Sequence, residues 1–229
     1  MRPLLLPRLE ERLQAVLQRI RSEVHADIGS DHAHLPLHLL ASGRVRRCVV
    51  VEKTAAPAAV ARATLEAFGW LHAAEVRVAD GLSGLHPGEV RSVSITGMGA
   101  KTVRDILEGR PERLDGVNRL VLQPNDEPSA LRRWARERGW HLEDEALLAG
   151  YWAYPLLCFV RGEGEDPAYA GHDLELALRF GPQLLSRRDP LLRRTLEAHS
   201  GRLERVQVHG NPRTLRELAQ VRAALALWD

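Results

Sequence analysis

Val24-His25-Ala26-Asp27-Ile28-Gly29-Ser30-Asp31-His32-Ala33-His34-Leu35-Pro36 runs from a short apolar strand into an acid and a glycine, then through a polar turn into an apolar helix. In an α/β sheet such a corner is where a nucleotide-like ligand sits, because the backbone must come close to it and the helix N-terminus offers free N–H groups. A single glycine is present, so the dinucleotide pattern G-x-G-x-x-G is not met, and no lysine follows to make a phosphate-binding loop. Asp27, two residues before Gly29, and Asp31, two after it, suit a ligand with a cationic amine better than a pyrophosphate. An ordinary βα turn would use the same residues. What decides between the two is the chemistry at the other strand ends.

Outward from that corner, strand-like and helix-like runs alternate. Strands are expected at Val24–Ile28, Cys48–Val51, Val76–Ala79, Val93–Thr96 and Leu120–Leu122, and helices at Leu35–Ala41, Pro57–Phe68, Lys101–Glu108 and Pro128–Arg138. Short apolar strands between helices imply a mainly parallel sheet covered on both faces. An amphipathic helix carrying Leu9, Leu13, Val16, Leu17 and Ile20 precedes them. After Gly139 the pattern changes: His141–Leu148 and Tyr154–Arg161 follow one another around Gly150 and read as a closing antiparallel pair.

The polar break Gly162-Glu163-Gly164-Glu165-Asp166-Pro167 is the expected boundary, giving domains 1–164 and 165–229. Beyond it, Leu192, Leu196, His199, Leu203 and Val206 share one helical face. Leu215, Leu218, Val221, Leu225 and Trp228 share another after the turn His209-Gly210-Asn211-Pro212. That pattern predicts a coiled-coil-like helical hairpin. Ten arginines lie between Arg179 and Arg222, against seven acids from His172 to Asp229. The pairs Arg187-Arg188 and Arg193-Arg194 are the densest cluster, placed either along a phosphate backbone or on a solvated helix face.

Composition sets limits on the reading. A chain of 229 residues exceeds the common single-domain size of about 100–150, and 45% hydrophobic residues suffice for a large core. The net charge of +2 does not by itself call for a nucleic acid. Cys48 and Cys158 sit in apolar runs, as small core residues do in a reducing compartment. His32, His34 and His38 lie close together but lack further partners at metal-ligand spacing, so no metal is expected. Met1–Pro7 is too short and too soon followed by charge to be a signal peptide, and no apolar run reaches the roughly 20 residues of a membrane span. A cytoplasmic protein is expected.

The strand ends supply the chemistry. Glu52 ends the second strand, where an acid accepts ribose hydroxyls. Asp80 ends the third beside Gly81, placed to accept from an exocyclic amine. Gly97-Met98-Gly99 ends the fourth and leaves room for a ligand against the backbone. Asp27, Glu52 and Asp80 thus close three successive strands on the edge where such sheets bind ligands. S-adenosylmethionine, with its cationic amine, ribose and adenine, fits that set. Trp134, Trp140, Tyr151, Trp152 and Tyr154 either stack on bases or pack in the core.

Taken together, Ala26–Ala33, Gly81-Leu82, Gly97-Met98-Gly99, Leu122-Gln123-Pro124-Asn125, Gly181-Pro182 and the helical tail resemble the bacterial tRNA adenine-22 N1-methyltransferases over nearly the whole chain. The resemblance implies a Rossmann-like class I methyltransferase domain with a C-terminal α-helical hairpin that helps grip tRNA. It implies methyl transfer from S-adenosylmethionine to N1 of an adenine. The expected cofactor residues are Asp27, Gly29, Ser30, His32, Glu52, Asp80, Gly81, Gly97, Met98 and Gly99. Asp31 and Asn125 are the expected catalytic pair, holding the adenine amino group while the ring gains charge. Arg187, Arg188, Arg193 and Arg194 are the expected RNA contacts, and a monomer is expected. Ala100, where the family commonly has glycine, and Lys53–Pro57 depart from the pattern. Two other readings share these residues: a methyltransferase of another RNA, a protein or a small molecule, and a non-catalytic RNA-binding module with a vestigial pocket.

Overall fold

The structure is a computed structural model, and it describes residues 5–151, 153–206 and 211–228. In chain order the main elements are α1 (Glu11–Arg19), β1 (Ser22–Ile28), α2 (His34–Ala41), β2 (Val45–Glu52), α3 (Ala55–Ala67), β3 (Ala74–Val78), β4 (Ser92–Met98) and α4 (Ala100–Gly109). They continue with β5 (Arg119–Pro124), α5 (Ser129–Glu137), β6 (Trp140–Leu148), β7 (Tyr154–Arg161), α6 (Leu174–Phe180), α7 (Pro182–Ser186), α8 (Pro190–Val206) and α9 (Pro212–Leu225). Every expected strand and helix is present, with ends moved by a few residues.

The strands form one seven-stranded sheet in the order β3-β2-β1-β4-β5-β7-β6. β1 to β5 are parallel, and β7 runs antiparallel between β5 and β6. The expected closing pair is therefore present, with its second strand inserted beside β5. Because β1 has β2 on one side and β4 on the other, the strand order reverses there. A crevice opens at the carboxyl ends of strands at such a reversal.

Side chains alternate between faces along each strand. Ala26, Ile28, Val49, Val51, Val93, Ile95, Leu120 and Leu122 face one way and pack with α4 and α5. Cys48, Val50, Val121, Leu156 and Cys158 face the other way and pack with α1, α2 and α3. Both cysteines are buried and free. Trp134 and Trp140 belong to the first core, which removes them from the candidates for stacking on bases. Tyr151 is exposed, while Trp152 lies outside the described residues.

The segment after β7 is anchored in the sheet before the hairpin begins. Tyr169, Ala177 and Leu178 join the core of β4 and β5. Asp173 caps α6 by accepting from the Leu176 amide, and Gly181 ends it at φ 97°. A Cβ on Gly181 would stand 2.6 Å from a Glu145 carboxylate oxygen, so this position requires glycine on two counts. α8 and α9 close a smaller core of Leu192, Leu196, Val221 and Ala224 with Leu184 and Leu185 of α7. Leu215, expected on that seam, is exposed instead, one turn before the buried Leu218. The Val206 side chain, His209 and Gly210 fall outside the described residues. Among the described residues no helix is long and apolar enough to cross a membrane.

Candidate active site

The crevice at the β1/β4 reversal is a cleft of about 510 Å³. Asp27, Gly29, Ser30, Asp31, His32, Gly97 and Met98 line it, as does the N-terminal segment from Arg8 to Leu13. Asp27 ends β1 with its side chain on the α1–α2 face and is 2% exposed. Its Oδ1 accepts a 2.5 Å hydrogen bond from Ser94 Oγ on β4. Burial pushes the Asp27 pKa up, while the hydroxyls of Ser30 and Ser94 pull it down. A carboxylate buried there is kept charged most readily by a cation opposite it.

The loop from β1 to α2 is bent by three left-handed residues: Gly29 at φ 73°, Asp31 at 59° and Ala33 at 55°. For Ala33 that geometry costs about 1–2 kcal/mol, a strain that clusters at binding sites. A Cβ on Gly29 would collide with Met98 Cε, so the loop lies directly against the end of β4. β4 itself shifts register at Gly97, which adopts φ 74° with open space where a Cβ would stand. The buried Asp27 carboxylate, the Ser30 hydroxyl beside it and the open backbone at Gly97 together fit a polar, amine-bearing ligand such as S-adenosylmethionine.

Glu52, 5% exposed at the end of β2, accepts the Asp31 amide on Oε1 at 2.5 Å. Burial raises its pKa, and the neighbouring Asp27 and Asp31 charges raise it further. It braces the loop from behind and does not line the cleft. Asp31 is 78% exposed on its side chain, 3.7 Å from His32, whose ring stacks on His34. Asp80 stands apart, its side chain 70% exposed and paired with Lys53 at 2.9 Å. Gly81 follows it, packed against Ile106. Gly99 precedes α4, whose Ala100 amide donates to Asp126 at 2.6 Å.

Asn125 is tied to the cleft from the β5 side. Its Nδ2 donates to Gly97 O at 2.6 Å, and its Oδ1 accepts from Arg12 Nη1 at 3.2 Å. The Arg12 guanidinium also lies over the Tyr154 ring, 5.2 Å from its centroid. Arg12 therefore joins α1, β5 and β7 at one end of the cleft. The amphipathic pattern of α1 located its buried face but gave no sign of this role.

Membership follows from comparison with known proteins. The model of the TrmK family, tRNA (adenine(22)-N(1))-methyltransferase, matches residues 25–228. The chain belongs to this family. It is 35% identical over 179 residues to the tRNA (adenine(22)-N(1))-methyltransferase of Bacillus subtilis, covering 77% of this chain and 75% of that protein. The crystal structure of the B. subtilis m1A22 tRNA methyltransferase TrmK superimposes with a TM-score of 0.85 at 28% identity, over 96% of this chain and 97% of that one. Streptococcus pneumoniae Sp1610 in complex with S-adenosyl-L-methionine does so with 0.84 at 26% identity, over 95% and 100%. The TrmK-family chain is thus a tRNA adenine-N1 methyltransferase on the Rossmann-like fold its strand order shows.

The four arginines expected to meet RNA are all exposed. Arg187 is also bonded to Asp189 and to Glu145 O, and Arg193 pairs with Glu197. A second cleft of about 640 Å³ lies between α5, α6 and α9 and is lined by Arg133, Arg179, Arg213 and Arg216 with Glu127, Glu175 and Glu217. Arg133 and Arg179 are paired to Glu175 and Glu217, whereas Arg213 and Arg216 have no acidic partner among the described residues. Residue counts registered the density of arginine but not this face, which forms when α9 folds back on α6.

Proposed function

We propose that this chain transfers a methyl group from S-adenosylmethionine to N1 of the adenine at position 22 of tRNA, with the cofactor held in the cleft at the β1/β4 reversal. The observation that carries the reading is the buried Asp27 carboxylate facing that cleft beside left-handed loop backbone. When bound there, S-adenosylmethionine supplies a methyl group on a positively charged sulfur. Asp27 is assigned to its amine, with Gly29, Ser30, His32, Gly97 and Met98 around it. Glu52, Asp80, Gly81 and Gly99, at the neighbouring strand ends outside that cleft, are assigned to the ribose and adenine of the cofactor.

Neutral adenine already carries a lone pair on N1, so no strong base is needed to make the nucleophile. What the chain must do is extrude the base, exclude water and align it. The segment Arg8–Leu13 forms one wall of the cleft. Asn125, fixed by Gly97 and Arg12, and Asp31 at the exposed end of the loop are placed to hold the adenine amino group as the ring becomes cationic. Asn125→Ala is expected to bind S-adenosylhomocysteine as the wild type does and to lower kcat about 100-fold, the cost of a misplaced reactant. An unimpaired single-turnover rate would remove Asn125 from the mechanism.

Residues 1–164 are assigned the cofactor and the chemistry, and 165–229 the grip on tRNA. Within the second part, α6 and α7 fasten to the sheet and leave α8 and α9 to reach the RNA. We place the phosphate path in the cleft of Arg213 and Arg216, with Arg187, Arg188, Arg193 and Arg194 as outlying contacts. The double variant Arg213→Glu, Arg216→Glu should raise KM for tRNA about tenfold or more, with a shallower salt dependence, and leave S-adenosylhomocysteine affinity unchanged. A single protomer working in the cytoplasm completes the reading. Its test is transfer of labelled methyl to unmodified tRNA transcripts with adenine or guanine at position 22. Label on the first alone supports the assignment, and label on both moves the target elsewhere.

A further inference from the structure

Asp27 ends a buried chain of hydrogen bonds that the reaction described above leaves unused. Strand pairing sets His25 opposite Ser92 and Asp27 opposite Ser94, so all four side chains share one face of β1 and β4. His25 Nδ1 lies 2.7 Å from Ser92 Oγ, His25 Nε2 lies 2.8 Å from Ser94 Oγ, and Ser94 Oγ reaches Asp27 Oδ1 at 2.5 Å. All four residues are buried. Chemistry fixes the direction. An ionised carboxylate only accepts, so Ser94 gives Asp27 its one proton and must itself accept from His25 Nε2–H. His25 Nδ1 then accepts from Ser92. Burial lowers the His25 pKa to about 3, so the ring is a neutral dipole at physiological pH.

We propose that the Ser92–His25–Ser94 relay is a positioning device that keeps the Asp27 carboxylate ionised and aimed at the cofactor amine, a role that rests on the cofactor reading above. Apolar residues fill the neighbouring positions of this face, Cys48 and Val50 of β2 among them. Four polar groups are buried here in their place, at the one strand end where a carboxylate must stay charged, and burial of that kind is tolerated when every group is bonded. The charges around Asp27 make the task harder. Cys48 and Glu52 face it from β2, and Glu52 and Asp31 add negative charge. Arg8, Glu10, Arg12, His32 and His34 share its cleft. β4 contributes no ionisable group to this face, only the hydroxyls that close the relay.

The test is calorimetric binding of S-adenosylhomocysteine between pH 5 and 8 by the wild type, Ser94→Ala and Ser92→Ala. Loss of a hydrogen bond to a charged group predicts roughly 10- to 100-fold weaker binding by Ser94→Ala at pH 7. It also predicts that the acid limb moves to higher pH, because without the donor the Asp27 carboxylate takes up its proton sooner. Ser92→Ala, two bonds further away, should shift the limb in the same direction by less. ¹⁵N imidazole shifts should show His25 protonated on Nε2. A variant with lowered Tm but an unmoved limb would make the relay a packing feature and overturn the proposal; Ser92→Ala serves if Ser94→Ala does not fold. A wild type that binds no S-adenosylhomocysteine would overturn the cofactor reading itself.

Discussion

Asp27→Ala is expected to fold and to lose S-adenosylmethionine binding. Removing one member of a buried charge pair costs about 3–5 kcal/mol, which converts to a Kd weaker by roughly 10²-fold to several thousandfold. The loss falls on binding because Asp27 is on the cleft wall and its hydrogen bond comes from Ser94, whose hydroxyl keeps His25 Nε2 as a partner when the carboxylate is gone. Asp27→Asn separates charge from shape, since it keeps an oxygen for Ser94 while offering no negative charge. Calorimetry with S-adenosylhomocysteine checks both variants. An affinity equal to wild type in Asp27→Ala would dismiss the carboxylate as the amine's partner, and equal affinity in Asp27→Asn would dismiss its charge.

The second large effect is on stability. Arg132 of α5 and Glu145 of β6 form a salt bridge at 2.8 Å, with the Glu145 side chain 0% exposed. Arg132 also donates to the carbonyls of Leu178 and Arg179 at the end of α6, and Glu145 accepts the Gln183 and Leu184 amides at the start of α7. One ion pair therefore joins the sheet to the base of the helical tail. Arg132→Met strands a buried carboxylate and should cost about 3–5 kcal/mol, lowering Tm by roughly 10 °C in a chain of this size. Adding Glu145→Leu should recover part of that loss, because the uncompensated charge goes with it while the Gln183 and Leu184 amides lose their acceptor. Differential scanning calorimetry of the single and double variants decides the matter; a single variant as stable as wild type would mean that water reaches Glu145. In Arg132→Met, KM for tRNA should rise more than the Kd for S-adenosylhomocysteine, since α6 and α7 hold the tail while the cleft lies on the other face.

The strand corners were legible because they are local. Asp27-Ile28-Gly29 had to end a buried strand and turn, and the alternation of short apolar runs with helical ones placed Asp27 and Glu52 at neighbouring parallel strand ends without knowledge of the partners. The hairpin was legible from its three-and-four spacing. Short helices were not. α6 and α7 are too brief for a periodic signal, and they form because Arg132, Glu145, Asp173 and Gly181 fix their ends. Arg12 was missed for a related reason: its partners Asn125 and Tyr154 come from strands more than a hundred residues away. Trp134 and Trp140 show the opposite limit, since aromatic character is the same whether a side chain is swallowed by the core or left on the surface. The lysine-bound Asp80 sits at the expected strand end, yet the sequence held no sign that its carboxylate would turn outward.

The inserted strand also orders events during synthesis. The residues that line the cleft itself run from Arg8 to Met98, so all of them are synthesised before β5. The edge of β5, however, finds its partner only when Tyr154–Arg161 has emerged, and β6, which pairs with β7 alone, joins the sheet no earlier. For that interval the nascent chain carries an open, apolar strand, Arg119–Pro124, of the kind that recruits other chains. A ribosome pausing between residues 124 and 161 would hold the protein at its most adhesive stage, with the residues of its cleft made and its sheet unfinished.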